Sequence, residues 1–198
     1  MSEEYQRLQD EATAVDCEMQ EIQESCRVGS AAELAGLERR LDFLTVRRAS
    51  LTKAMVLLVP VEDAAFAEKQ RAFVGRLPHR YHSQGPRQKI VNFPAGVHVT
   101  LNILYFHRQK DQARAAAKPG RGLYPALMLL GIVQGRTPHV RQRMVKAAAL
   151  LGSFEEAAEM LTDACMNVSV NALRGAWWGV RSRWAKAGST DVVRPHCR

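Results

Sequence analysis

The residues best suited to chemistry lie near the carboxy end, where Ser169, Asn171, Ala172 and Arg174 follow one another across a stretch of helical character. Asn pairs in bidentate fashion with the adenine edge and Arg with guanine, while Ser and Ala fit small gaps beside a base, so these four are the candidate DNA base contacts. Upstream, Arg136, Arg141, Arg143 and Lys146, together with Arg108 and Lys110, are candidate phosphate contacts, which give affinity without sequence preference. No catalytic residue stands out. There is no phosphate-cradling glycine loop, no G-x-S-x-G turn and no H-E-x-x-H helix. Cys17, Cys26, Cys165 and Cys197 are scattered, and His79 with His82 forms a lone H-x-x-H among basic residues, so neither a metal nor a cofactor is expected.

Charge distribution supports a polyanionic partner. The 198 residues hold 28 Lys+Arg against 20 Asp+Glu, a net charge of +8. Residues 1–38 carry ten acids and two bases, whereas the stretch from Arg71 to Lys146 carries fourteen bases and one acid, Asp111. Double-stranded DNA is the expected partner of that second stretch. A content of 46% hydrophobic residues is enough for true cores. The longest apolar runs fall far short of the ~20 residues that a membrane helix needs, and no apolar leader begins the chain. A soluble, cytoplasmic, nucleoid-associated protein without membrane contact is expected.

Several elements must position these residues. Tyr5, Leu8, Ala12, Val15, Met19, Ile22 and Cys26 alternate at spacings of three and four, the seam of a coiled coil. Ser30 and Glu33 form a capping box that starts a second helix carrying Leu34, Leu37, Leu41 and Leu44. Its Arg39, Arg40, Arg47 and Arg48 could pair with the acidic first helix within one chain or between chains, and a homo-oligomer through residues 3–56 is expected. Pro60 closes that region, and Val61–Leu77 reads as a short helix. Residues 78–89 combine breakers and positive charge without periodicity, which reads as a linker.

From Lys89 the pattern becomes strand, tight turn at Pro94-Ala95-Gly96, and strand to Phe106, with Val97, Val99, Leu101 and Ile103 on one face. A basic connector, 107–121, follows, its Ala113–Ala117 run suited to a helical turn. Three capped helices come next: Pro138–Leu151 after Thr137, Phe154–Ala164 after Ser153, and one from Ser169 toward Trp184. Phe154, Ala157, Ala158 and Leu161 form a buried stripe, Val168 plugs the turn, and Val170 with Leu173 anchors the last helix, as in a helix-turn-helix unit. Trp177, Trp178 and Trp184 suit packing better than base stacking. The expected fold is mostly α with a small β-hairpin, an α+β arrangement. It divides into a coiled-coil or helical hairpin at 1–58, a short helix and basic linker at 59–87, a β-hairpin and connector at 88–135, a helix-turn-helix at 136–184 and a disordered tail at 185–198.

Taken in order, Pro94-Ala95-Gly96-Val97-His98-Val99-Thr100, Gly122-Leu123-Tyr124-Pro125 with Leu130-Gly131, Thr137-Pro138, and Ser153 to Leu161 before Val168-Ser169 resemble the amino-terminal half of Kra-type bacterial insertion-sequence transposases across roughly residues 88–173. The resemblance implies binding to the ends of a mobile element in DNA transposition, with a full-length transposase as a further partner. It also implies a ribonuclease-H-like domain downstream, whose three carboxylates hold two metal ions ~4 Å apart. Beyond Leu173 this sequence has a single carboxylate side chain, Asp191, and where the family places cysteines before Gly-Leu-Tyr-Pro it has Arg108–Lys118. The expectation is therefore a DNA-binding portion without catalysis of its own, with a reading-frame change near Arg174 as the simplest source of the divergent ending. The competing expectations are a non-enzymatic coiled-coil assembly protein and a helix-turn-helix regulator.

Overall fold

A computed structural model describes residues 2–25, 27, 29–108 and 122–186, with side chains up to residue 179 in the last helix. Lys110, the Ala113–Ala117 run, Cys26, Cys197 and residues 187–198 lie outside the described residues. Among the described residues, seven helices and one two-stranded antiparallel hairpin make an α+β fold: α1 Glu3–Ser25, α2 Ala31–Glu62, α3 Ala64–Gly75, β1 Tyr81–Asn92, β2 His98–Arg108, α4 Pro125–Leu129, α5 Pro138–Leu150, α6 Phe154–Asp163 and α7 Val170–Lys186. Among the described residues no helix is long and apolar enough to cross a membrane.

The first two helices fold back on each other within one chain. Leu8, Ala12 and Val15 of the heptad seam are buried with Leu44, Leu51, Ala54 and Leu58 of α2. Ser30 starts α2 by accepting the Glu33 N–H at 3.3 Å, while the Glu33 carboxylate accepts the Gly29 N–H at 2.8 Å. Pro60 does not end α2: it sits in the last turn, where its missing N–H forfeits a single ladder bond, and the helix continues to Glu62. The break comes at Asp63, whose carboxylate accepts the Ala65 N–H at 2.9 Å and so opens α3.

Residues 78–89 are not a linker. From Tyr81 they form most of β1, paired with β2 up to Arg108. A register shift between Ser83 and Pro86, with Gly85 at φ 82°, absorbs the breakers. Each strand of a two-stranded sheet is an edge, so Pro86 can sit in the ladder where a central strand would reject it. The breakers masked an extended segment whose conformation is set by its partner strand. Val97, Val99, Leu101 and Ile103 are all buried on one face, against the seam of α1 and α2. The coiled-coil and hairpin regions thus share one core, to which Ala126 and Ile132 also belong, and no boundary separates them.

A second core joins α5, α6 and α7 through Val140, Met144, Ala147, Ala157, Leu161, Met166, Val168, Leu173 and Ala176. Each helix begins at a hydroxyl cap. Thr137 accepts the Val140 N–H at 3.4 Å, Ser153 the Glu156 N–H at 3.0 Å and Ser169 the Ala172 N–H at 3.3 Å. The hairpin tip bridges the two cores. Ala95 and Gly96 lie at φ 55° and 70°, and the Ala95 N–H donates to the Cys165 carbonyl at 2.7 Å in the turn between α6 and α7. Beside the tip, at the last residue of β1, the Asn92 N–H donates to the Gly135 carbonyl at 2.8 Å. A side chain at 135 would press on the Ile90 carbonyl, at a backbone with φ 69°, so glycine is required there.

Candidate nucleic-acid interface

Two short helices meeting at a tight turn make the carboxy-terminal unit. α6 turns its apolar stripe inward, with Ala157 and Leu161 buried and Phe154 and Ala158 packed beside them. The turn is plugged by Met166 as well as Val168. α7 is anchored by Leu173 and Ala176, one turn apart, while Val170 is only half-buried. The helix runs on to Lys186, so Arg174 and the residues just after it continue the same fold.

The side chains proposed to read bases divide. Ser169, Asn171 and Arg174 are exposed, but Ala172 is half-buried against the three-helix core and has little reach outward. Ser169 is also occupied as the cap of its own helix. Arg174 lies over the Phe154 ring at 5.7 Å and donates to Glu155 at 3.4 Å, a long and largely exposed pair that a stronger acceptor could replace. Asn171 and Arg174 stand three residues apart and share a face of α7.

The phosphate candidates also separate. Arg143 and Lys146 stand one turn apart on one flank of the buried Val140–Met144–Ala147 stripe of α5, whereas Arg141 falls on the other flank. Arg136 is half-buried beside the Val133–Arg136 turn, and Arg108 ends β2 opposite Tyr81. Among the described residues, no group of three His, Cys, Asp or Glu side chains could hold a metal ion.

The front of the molecule disposes of its charge differently. Arg40 pairs with Glu18, Arg47 with Glu11 at 3.2 Å and Arg48 with Asp16 at 2.7 Å, tying α2 to α1. Arg7 pairs with Glu4 at 2.9 Å and with Glu11, and it donates to the His98 carbonyl at 3.0 Å. The hydrogen bond from Arg7 holds the Glu4 carboxyl below the usual carboxylate range, against partial desolvation, and the Thr100 N–H at 2.7 Å adds to it. The same bond raises Arg7.

Comparison with protein families, with curated proteins and with solved structures returns no match.

One group escapes a reading of the sequence. Arg87 stacks over the Tyr105 ring at 4.0 Å, Lys89 lies over the Tyr124 ring at 4.6 Å, and the two tyrosines touch at 4.8 Å between centroids. Each cation–π contact contributes about 0.5–1 kcal/mol at such sites. A Cβ at Gly122 would overlap the hydroxyl end of the Tyr105 side chain, so glycine leaves room for the ring where it lies. The available signal was the i, i+2 spacing of Arg87 and Lys89 ahead of Ile90, a strand period hidden among the breakers.

Proposed function

We propose that the chain binds double-stranded DNA, recognising the ends of a mobile element as the DNA-binding portion of a transposase, and that it does not cut DNA by itself. One observation carries the reading. Three acids of α1, Glu11, Asp16 and Glu18, are paired with arginines of α2, whereas among the described residues Arg87, Lys89, Arg108, Arg136, Arg143 and Lys146 form no ion pair with a carboxylate. A one-sided, uncompensated charge of this kind suits a polyanion. The three-helix unit, with a turn plugged by Val168 and with Asn171 and Arg174 exposed on α7, gives that charge a means of reading sequence. The transposase assignment rests on the motif order from Pro94 to Ser169. A full-length transposase is then the natural partner, with this chain as its subunit or its competitor, in the nucleoid. The seam of α1 is filled within the chain, so a homo-oligomer through residues 3–56 would use the outer faces of these helices.

Gel-shift titration against the terminal repeats of the element and against unrelated duplex tests this. The expected result is tighter binding to the repeats, with Asn171→Ala and Arg174→Ala each costing about 1–3 kcal/mol of discrimination. Equal affinity for both duplexes, unaltered in these variants, would remove the sequence-reading claim.

A further inference from the structure

The hairpin carries a second basic site, away from α7, that the reading above does not use. Arg87 and Lys89 lie on one face of β1, opposite Ile103 and Leu101 in the ladder, so their Cα atoms are separated by about 6.8 Å along the strand. That interval is close to the spacing of successive phosphates on one nucleic-acid strand. Arg87 is exposed and Lys89 half-buried, and neither pairs with a carboxylate among the described residues. Both cations rest on rings: Arg87 on Tyr105 and Lys89 on Tyr124. The rings are fixed in turn, because they contact each other, Tyr124 precedes the first turn of α4, and Gly122 makes room for Tyr105. A long side chain normally loses rotamer freedom when it grips a ligand; here much of that ordering has already occurred.

We propose that Arg87 and Lys89, seated on Tyr105 and Tyr124, grip successive phosphates of one DNA strand. This clamp rests on the reading of the chain as a DNA-binding protein and adds a contact from a different element. It positions the backbone and reads no base, since neither cation is aimed by a recognition helix. The hairpin tip is hydrogen-bonded to the α6–α7 turn through Ala95 and Cys165, so the clamp and the α7 edge belong to parts of the molecule joined by the backbone.

Fluorescence anisotropy of the full chain tests it, using two probes across a salt series: a duplex of arbitrary sequence and an oligo(dT) strand. Replacing both cations, Arg87→Gln with Lys89→Gln, should lower the magnitude of the salt slope by about 1.8 on duplex or about 1.4 on the single strand. A probe whose fall reaches its own expected value is the form of DNA that is gripped. Lys89→Gln alone should give half of either fall, and Arg87→Lys should retain the slope. Tyr105→Leu keeps both charges but removes the ring beneath Arg87, so it should weaken binding about threefold at constant slope, with Tyr105→Phe unchanged. Wild-type slopes in the double variant would overturn the clamp and leave DNA binding by α5 and α7 standing. No salt-dependent binding of either probe by the unaltered chain would overturn the clamp and the DNA reading together.

Discussion

The α1–α2 pair and the α5–α7 unit are both small helical assemblies rich in arginine, yet they use it in opposite ways. In the first, Arg40, Arg47 and Arg48 are turned toward Glu18, Glu11 and Asp16, and charge serves to align two helices. Pairs this exposed stabilise by no more than about 1 kcal/mol each, so they select the register more than they hold the fold. The buried seam of Leu8, Ala12, Val15, Leu44 and Leu51 does the holding. In the second, Arg143 and Lys146 flank a helix stripe and, among the described residues, are ion-paired to no acid of α6, and Arg174 meets the Glu155 carboxylate at 3.4 Å. Arginine count says nothing of this difference; it depends on which acids lie within reach.

The largest effect expected from breaking this comparison is in the second core. Leu173 is fully buried at its centre, and Leu173→Ala should cost about 2–5 kcal/mol in chemical denaturation. Hydrogen exchange in the same variant should leave α1 and α2 protected, because their seam lies in the other core. Equal loss of protection in both regions would mean that the two cores melt as one, joined through Ala95 and Asn92. A smaller effect separates the two uses of charge. Arg143→Gln with Lys146→Gln should lower the salt slope of duplex binding by about 1.8, whereas Arg40→Gln with Arg48→Gln should leave it unchanged. An equal fall in both variants would erase the distinction between paired and unpaired arginines.

The smallest effect concerns the point where α1 meets β2. Glu4→Gln removes the charge that holds Arg7 and weakens the bond to the Thr100 N–H, and with both side chains partly exposed the cost should stay below about 1 kcal/mol. Because folding lowers the Glu4 pKa, this stabilisation is present above the ordinary carboxylate range and is lost as pH falls through the lowered value. The melting temperatures of wild type and Glu4→Gln should therefore differ near neutrality and converge in acid, once the pH has fallen through the lowered Glu4 value. A difference that persists in acid would assign the effect to packing.

Much of the helical part was legible because its signals are local. Heptad spacing announced α1, and hydroxyl caps at Ser30, Thr137, Ser153 and Ser169 marked four helix starts, each needing only a side chain and an N–H three residues on. The α6 stripe and the Val168 plug were equally readable from 3.6-residue periodicity. Pro60 misled because proline was weighed as a terminator without regard to how little it costs in a final turn. The site was legible in part: Asn171 and Arg174 are exposed as their spacing implied, while Ala172 faces the core because the anchor of α7 is Leu173 with Ala176 and not Val170. Trp178, expected to pack, is more than half exposed.

By itself the sequence determined where helices begin, which strand face is apolar and how unevenly charge is spread, since each follows from the order of neighbouring residues. Tertiary structure alone decided that α1 pairs with α2 of the same chain, that residues 81–89 extend a strand, and that Arg87 and Lys89 come to rest on tyrosines 18 and 35 positions away in the chain. Those outcomes depend on which distant groups arrive within a few ångströms of one another, and no local pattern of residues records that distance.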